Sequence, residues 1–196
     1  MKKIINIVLA ALMVFAIGAC EEKKSQVGSA STEKNVKIGN QIWMAKNLND
    51  ASKGGICYGD KPENCEKYGR LYTWEEATKA CPSGWHLPSN AEWQILVDLA
   101  GGDEVAGGKL KAKSGWNYYE GKSGNGTDDF GFSALPGGYG IPDGSFSIVG
   151  NLGNWWCAPD GSTDGAYGWG MYYDGNGMYK LYNDRSSLLS VRCVKD

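Results

Sequence analysis

Tyr72 to Trp93, reading YTWEEATKACPSGWHLPSNAEW, decides how the rest of the chain is understood. Thr73 is followed three residues later by Glu76, and Ser89 by Glu92. Each pair has the spacing of a capping box. The hydroxyl accepts from an orphan N–H of the first turn, and the glutamate reaches back to the N–H of the cap. Between the two boxes, Pro82 and Gly84 break the helical pattern just after Cys81. The spacing predicts a short helix over 74–81, a tight connection, and a second helix over 90–100 that stops at Gly101-Gly102. Trp93, Leu96, Val97 and Ala100 fall at i, i+3, i+4 and i+7, so the second helix presents one apolar face.

Outward from this stretch the pattern changes to strands and turns. Lys37 to Met44, KIGNQIWM, reads as a hairpin with Gly39-Asn40 at its turn. Residues 50–70 read as a loop rich in Gly, Asp, Asn and Pro. Residues 101–129 read as a long surface loop with at most one short turn. A β region begins at Phe130, punctuated by Asp143-Gly144, Asp160-Gly161 and Asp174-Gly175-Asn176-Gly177. Its clearest hairpin runs Trp169–Tyr173, then DGNG, then Met178–Tyr182. A final strand covers Leu188–Val194. Strands at both ends with helices between them predict an α+β fold: two helices on one side of a curled, mostly antiparallel sheet, loop-rich throughout.

The N-terminus carries targeting signals. Met1-Lys2-Lys3 is basic, and the apolar run Ile4–Ile17 is too short to span a bilayer but suits a secretory signal. It ends in Ile17-Gly18-Ala19-Cys20, which resembles the bacterial lipobox. That resemblance implies a signal peptide over 1–19 and diacylation of Cys20. Acyl chains contribute about 0.8 kcal/mol per buried CH₂, so a multiply acylated Cys20 anchors the chain to a membrane. Residues 20–35 are polar and aperiodic, a flexible tether. The expected setting is the outer membrane or cell surface.

The expected folded domain is 36–196, long enough for one sizeable core. Removing Lys2 and Lys3 with the signal leaves 18 basic residues against 22 acidic ones, a net charge of −4. There is no basic face, so nothing points to nucleic acid as a partner. The 29 glycines, 8 tryptophans and 11 tyrosines suit a loop-rich exported module with large aromatic anchors rather than a helical bundle.

Three segments, Cys65–Trp93, FGFSALPGGYG at 130–140 and SVRCVKD at 190–196, together resemble the Fibrobacter succinogenes major paralogous domain over 36–196. More distantly, GWHLPSNAEW (84–93) and VRC (191–193) resemble formylglycine-generating-enzyme-like domains and the C-type lectin-like fold. The resemblance implies a C-type lectin-like fold and a surface setting, and it brings no biochemical activity with it. It also implies a long-range bridge between Cys81 and Cys193, for which the chain-entropy account gives roughly 4–5 kcal/mol. Cys57 and Cys65 enclose a short Gly/Pro/Asn loop and are the local pair. Cys157 stands outside both bridges, either as a buried thiol that packs like a small hydrophobe or as an intermolecular partner. The adjacent Trp155-Trp156 favour burial.

Catalytic motifs are absent. The single histidine, His86, has no nucleophile partner in the sequence and reads as a half-buried ring bonded to a nearby carbonyl. The reactive cysteine pair of formylglycine-generating enzymes has no counterpart. Asp128-Asp129, Asp143, Asp160, Asp164, Asp174 and Asp184 each lie beside Gly, Asn, Ser or another Asp, where turns use Asp to bond backbone. The expectation is therefore a non-enzymatic module without a required cofactor. Asp160-Gly161-Ser162-Thr163-Asp164-Gly165 has the first half of an EF-hand-like loop, making Asp160 and Asp164 weak calcium candidates. Met171 occupies the position where the bidentate glutamate would be. Tyr182-Asn183-Asp184 is faintly similar to the Trp-Asn-Asp of calcium-dependent lectins, without its companion motif. Zinc has no CxxC or His cluster to bind.

The densest constellation is aromatic: Trp155, Trp156, Trp169, Tyr172, Tyr173, Tyr179 and Tyr182, interleaved with Gly, Asn and Asp. Flat rings beside amides and carboxylates suit sugar binding. The same rings equally suit the core of a domain poor in Phe. Strand alternation puts at least one tyrosine of each adjacent pair outside the main core. The candidate binding residues are Trp169, Tyr172, Asn183 and Asp184, and the resemblance implies that this region faces ligand. The functional expectation is an exported, lipid-anchored module that binds glycan or another surface protein. Its alternatives are a purely structural surface lipoprotein or a carboxylate-based enzyme.

Overall fold

A computed structural model describes residues 35–159 and 165–196. The signal peptide, nearly all of the tether, Cys20, Asp160 and Asp164 lie outside the described residues. In chain order the elements are β1 (Asn35–Ile38), β2 (Gln41–Met44), α1 (Pro62–Tyr68), β3 (Leu71–Tyr72), α2 (Trp74–Ala80), β4 (Trp85–His86) and α3 (Asn90–Leu99). Then follow α4 (Ala106–Leu110), β5 (Tyr118–Tyr119), β6 (Lys122–Ser123), β7 (Tyr139–Gly140), β8 (Phe146–Ser147), β9 (Leu152–Trp156), β10 (Ala166–Tyr172), β11 (Tyr179–Asn183), β12 (Leu189–Ser190) and β13 (Val194–Lys195).

Both capping boxes form. Thr73 Oγ1 accepts from Glu76 N–H while Glu76 accepts from Thr73 N–H, and Ser89 and Glu92 do the same at α3. Trp93, Leu96, Val97 and Ala100 are all buried, as the i, i+3, i+4, i+7 spacing requires.

The sheet is not one curled layer. A four-stranded sheet has the order β1-β2-β13-β4, and a five-stranded sheet has the order β11-β10-β9-β12-β3; two two-stranded ribbons complete the set. All pairings are antiparallel except β9 with β12. The expected final strand is split between the two sheets: Leu189 pairs with Tyr72, and Val194 with Trp43. Between them, the carbonyls of Val191 and Cys193 accept from Leu48 and Met44 N–H at 2.8 and 3.0 Å. Pairing is thereby handed from one sheet to the other. The chain is a mixed α/β protein with four helices among the described residues, not two.

The two extra helices correct the expected loops. In α1, Pro62 sits in the first turn and Gly69 caps the end, the signals that start and stop a helix. Inside 101–129, α4 is uncapped by any side chain, yet Ala106, Leu110, Lys111 and Trp116 are all buried. Gly107 explains this. A Cβ there would lie 2.2 Å from Gly177 O, so only glycine lets the α4 backbone seat against the β10–β11 turn. Gly108 N–H donates to Asn176 O across the same contact at 2.9 Å.

The core is built of tryptophan. Trp43 and Trp93 have ring centroids 4.7 Å apart, and Phe132 and Trp155 pack edge-on at 6.4 Å within the same cluster. Arg192 is buried here with its guanidinium 4.2 Å from the Phe132 ring centroid. Asn47 Oδ1 accepts from Arg192 Nε, Arg192 Nη2 and Trp155 Nε1 at 3.0, 2.7 and 2.7 Å. A buried cation is thus satisfied by hydrogen bonds, which is the condition for tolerating it. Cys57 bonds to Cys65 and Cys81 to Cys193, spanning 8 and 112 residues. Cys157 is fully buried outside both bridges.

Candidate functional site

Strand alternation sorts β9, β10 and β11 into two faces. The registers place Trp155 opposite Trp169 and Gly153 opposite Met171, and these residues face the tryptophan core. On the other face lie Leu152, Asn154 and Trp156 of β9, Gly168, Gly170 and Tyr172 of β10, and Leu181 and Asn183 of β11. Gly168 and Gly170 carry no side chain where a flat strand would carry two. A Cβ on Gly168 would lie 2.9 Å from Asn154 Oδ1 and 3.2 Å from Asn183 Nδ2, and one on Gly170 would lie 2.5 Å from Leu181 Cδ1. Glycine lets these neighbouring side chains settle onto the strand.

Above this face lies a cleft of about 360 Å³, lined among others by Tyr139, Ile148, Asn154, Tyr172, Asn183 and Asp184. That volume is at the small end of the roughly 300–1,000 Å³ usual for ligand sites. Three of the four candidate binding residues therefore share one cleft. Trp169 does not. It is 3% exposed, belongs to the core, and donates from Nε1 to Asn90 Oδ1 at 3.2 Å. Its position three residues before Tyr172 in one strand forces the two rings onto opposite faces. Of the wider aromatic set, Trp155 and Trp156 are fully buried, while Tyr172, Tyr179 and Tyr182 are exposed.

Asn154 is the residue that sequence reasoning missed. It is 2% exposed, and its Nδ2 donates to Asn183 Oδ1 at 3.2 Å. Its Oδ1 has no hydrogen-bond partner. Among the described residues only two other buried side-chain atoms share that condition, Arg70 Nε and Trp93 Nε1, and neither residue lines the cleft. An unsatisfied buried acceptor costs about 1–3 kcal/mol, so its retention calls for an explanation.

Two further features frame the cleft. Asp184 Oδ1 accepts from Ser186 Oγ and Ser186 N–H at 2.6 and 2.8 Å, and those bonds hold its carboxyl below the usual range, so it is an anion at neutral pH. Ile148 has φ +51°, an outlier for a β-branched residue, and stands on the rim 37% exposed. Its carbonyl accepts from Asn151 and Leu152 N–H, which fixes the strained turn in place. Such strain, about 1–3 kcal/mol, collects at ligand clamps.

Beneath the hairpin, Lys111 is almost wholly buried and donates from Nζ to Tyr172 O and Gly175 O. Burial pushes its ammonium down to about 8, against the opposing pull of Asp174. Lys111 fixes the backbone that presents Tyr172.

His86 is placed differently from the expected carbonyl contact. Nδ1 lies 2.6 Å from Asp196 Oδ1 and Nε2 lies 2.8 Å from Glu92 Oε1. Burial pulls its pKa down, but the two carboxylates outweigh burial and hold the imidazole above its ordinary value. The ring is a strut joining β4, the α3 cap and the end of β13. Asp143 accepts from Ser145 N–H and Asp128 from Ser133, each bonded within its own turn. Among the described residues no group of three His, Cys, Asp or Glu side chains is placed to hold a metal ion.

Residues 36–195 match the family model described as the Fibrobacter succinogenes major domain. No curated protein and no solved structure matches the chain.

Proposed function

The chain belongs to the Fibrobacter succinogenes major domain family, and from that premise we propose an exported, lipid-anchored, non-enzymatic surface module whose cleft binds a glycan. The observation that carries this reading is the cleft itself: Tyr172, Asn183 and Asp184 line it together with Asn154, whose Nδ2 donates to Asn183 Oδ1. A ring, amides and a carboxylate in one small concavity suit a sugar, whose C–H face stacks while its hydroxyls bond. The turn-bound carboxylates support a binding role over catalysis, since each is committed to local backbone. Two disulfides support an oxidising, extracytoplasmic compartment. The Ile17–Cys20 sequence supports acylation and an outer-membrane or cell-surface location. A C-type lectin-like fold belongs to the same reading, supported by the long Cys81–Cys193 closure.

Two measurements test it. Fatty-acid labelling should be lost in Cys20→Ala, and unchanged incorporation would refute the anchor. A glycan array probed with the purified protein should return binding that Tyr172→Ala abolishes; an array without signal would favour the structural-lipoprotein reading.

A further inference from the structure

We propose that the cleft takes a positively charged sugar, a 2-amino sugar whose ammonium lies at Asp184 and against the Tyr172 ring. The inference rests on the glycan reading above and narrows it to a ligand class. Charge and ring chemistry carry it.

The first observation is an anion without a counter-charge. Among the described residues Asp184 is the one ionised side chain in the lining, and no lysine, arginine or histidine lines the cleft. Its two bonds, from Ser186 N–H and Oγ, both go to Oδ1, so Oδ2 has no hydrogen-bond partner among the described residues. Ser186, and not a cation, holds the carboxyl below its ordinary value. The neighbouring cations are engaged elsewhere. Arg185 donates from Nε to Gly165 O with its guanidinium 4.2 Å from the Trp74 ring centroid. Lys180 sits 3.6 Å from the Tyr167 ring centroid, on the core face of the sheet. Lys111 reaches the Tyr172 carbonyl from the core side, over the Trp116 ring. An ammonium brought by the ligand supplies the missing charge, and its charge-assisted hydrogen bond is about twice as strong as one from a hydroxyl.

The second observation is aromatic. Tyr139 and Tyr172 line the same cleft, and Tyr172 is exposed. Tyr182 lines it too, but its ring packs edge-on against Tyr167, 5.3 Å away on the core face. The face of a tyrosine ring carries negative potential, which attracts a cation and repels a carboxylate. Rings and carboxylate therefore favour the same sign of ligand.

The field of the whole domain points the same way. Between 36 and 196 there are 15 lysines and arginines against 19 aspartates and glutamates, a net charge of −4. A lysine side chain would also bring an ammonium, but on a stem without hydroxyls. The amide of Asn183 and the hydroxyl of Ser187 in the lining suit the hydroxyls of a sugar ring.

The test uses polyacrylamide conjugates of equal valency bearing glucosamine, N-acetylglucosamine, glucose or a lysine side chain, titrated against the purified full chain at pH 6. Glucosamine should bind about fivefold more tightly than glucose and than N-acetylglucosamine, which has the same ring without the charge. The lysine conjugate should bind more weakly than glucosamine. Asp184→Asn keeps an oxygen to accept from Ser186 and removes the charge. It should bring glucosamine to the glucose level with the melting temperature nearly unchanged. Added salt should shrink the same preference in the wild-type chain and leave glucose binding in place. Equal binding of the three sugars, or a glucosamine preference that survives Asp184→Asn, would overturn the amino-sugar assignment while leaving glycan binding in place. A lysine conjugate bound as tightly as glucosamine would also overturn it, because charge alone would then be recognised. Binding of no sugar conjugate would overturn both readings.

Discussion

Strands β9, β10 and β11 serve two purposes with one backbone. On the core face Trp155, Trp169 and Met171 are at most 3% exposed and join Trp43, Trp93 and Phe132 in a single cluster. On the cleft face the same strands carry glycine, asparagine and an exposed tyrosine, and one buried oxygen is left without a partner. The first face is packed in a way that stabilises the fold; the second keeps an unsatisfied acceptor and a strained rim. Retaining such features suggests where binding takes precedence over stability. Substitutions on the two faces should therefore separate stability from binding.

The largest effect should come from the covalent frame around both faces. The Cys81–Cys193 bridge closes 112 residues, and Cys193→Ser should cost roughly 5 kcal/mol of unfolding free energy. Cys57→Ser opens a separation of only 8 residues and should cost markedly less. Chemical denaturation under non-reducing conditions compares them, and equal losses would contradict the loop-entropy account.

Trp169→Ala comes next. Deleting a buried indole costs about 3–5 kcal/mol, and the variant also loses the bond from Nε1 to Asn90 at the start of α3. A melt indistinguishable from wild type would return Trp169 to the binding face.

A smaller stability effect belongs to His86. Its folded pKa is raised, so its contribution is fully present below the unfolded value of about 6.5 and is lost as pH rises through the higher folded value. The ring is 41% exposed, so screening by solvent keeps the contribution under about 1 kcal/mol. The stability gap between wild type and His86→Gln should narrow as pH is raised from 5 toward alkaline values. A gap that widens would reverse the assignment.

The parts of the fold that were legible in the sequence are those set by local chemistry. Thr73/Glu76 and Ser89/Glu92 specify their helices from four residues each, and the 37–44 and 169–182 hairpins announce their turns. The helix α1 was also marked, by Pro62 and Gly69, but its Gly- and Asp-rich neighbours made the segment look like loop. By contrast, α4 had no local signal: AGGKL is a poor helix former, and it is ordered by the Gly107 contact with Gly177, seventy residues away. The division of Leu188–Val194 between two sheets depends on Met44 and Leu48 and is invisible within the segment. The cleft was partly legible. Tyr172, Asn183 and Asp184 were identified by type, but Trp169 was grouped with them although its odd spacing from Tyr172 in one strand turns it to the core. Nothing around Asn154 marks it, because its importance lies in a partner it does not have.

The most direct test of the two-face account is Tyr172→Ala, with thermal unfolding and titration against a glycan conjugate returned by the array measured on the same preparation. Tyr172 is 39% exposed, and Lys111 holds its backbone carbonyl rather than its ring. Unfolding free energy should stay within about 0.5 kcal/mol of wild type, while sugar affinity falls by about 1–3 kcal/mol. A large loss of stability, or full retention of sugar binding with an intact fold, would contradict the account.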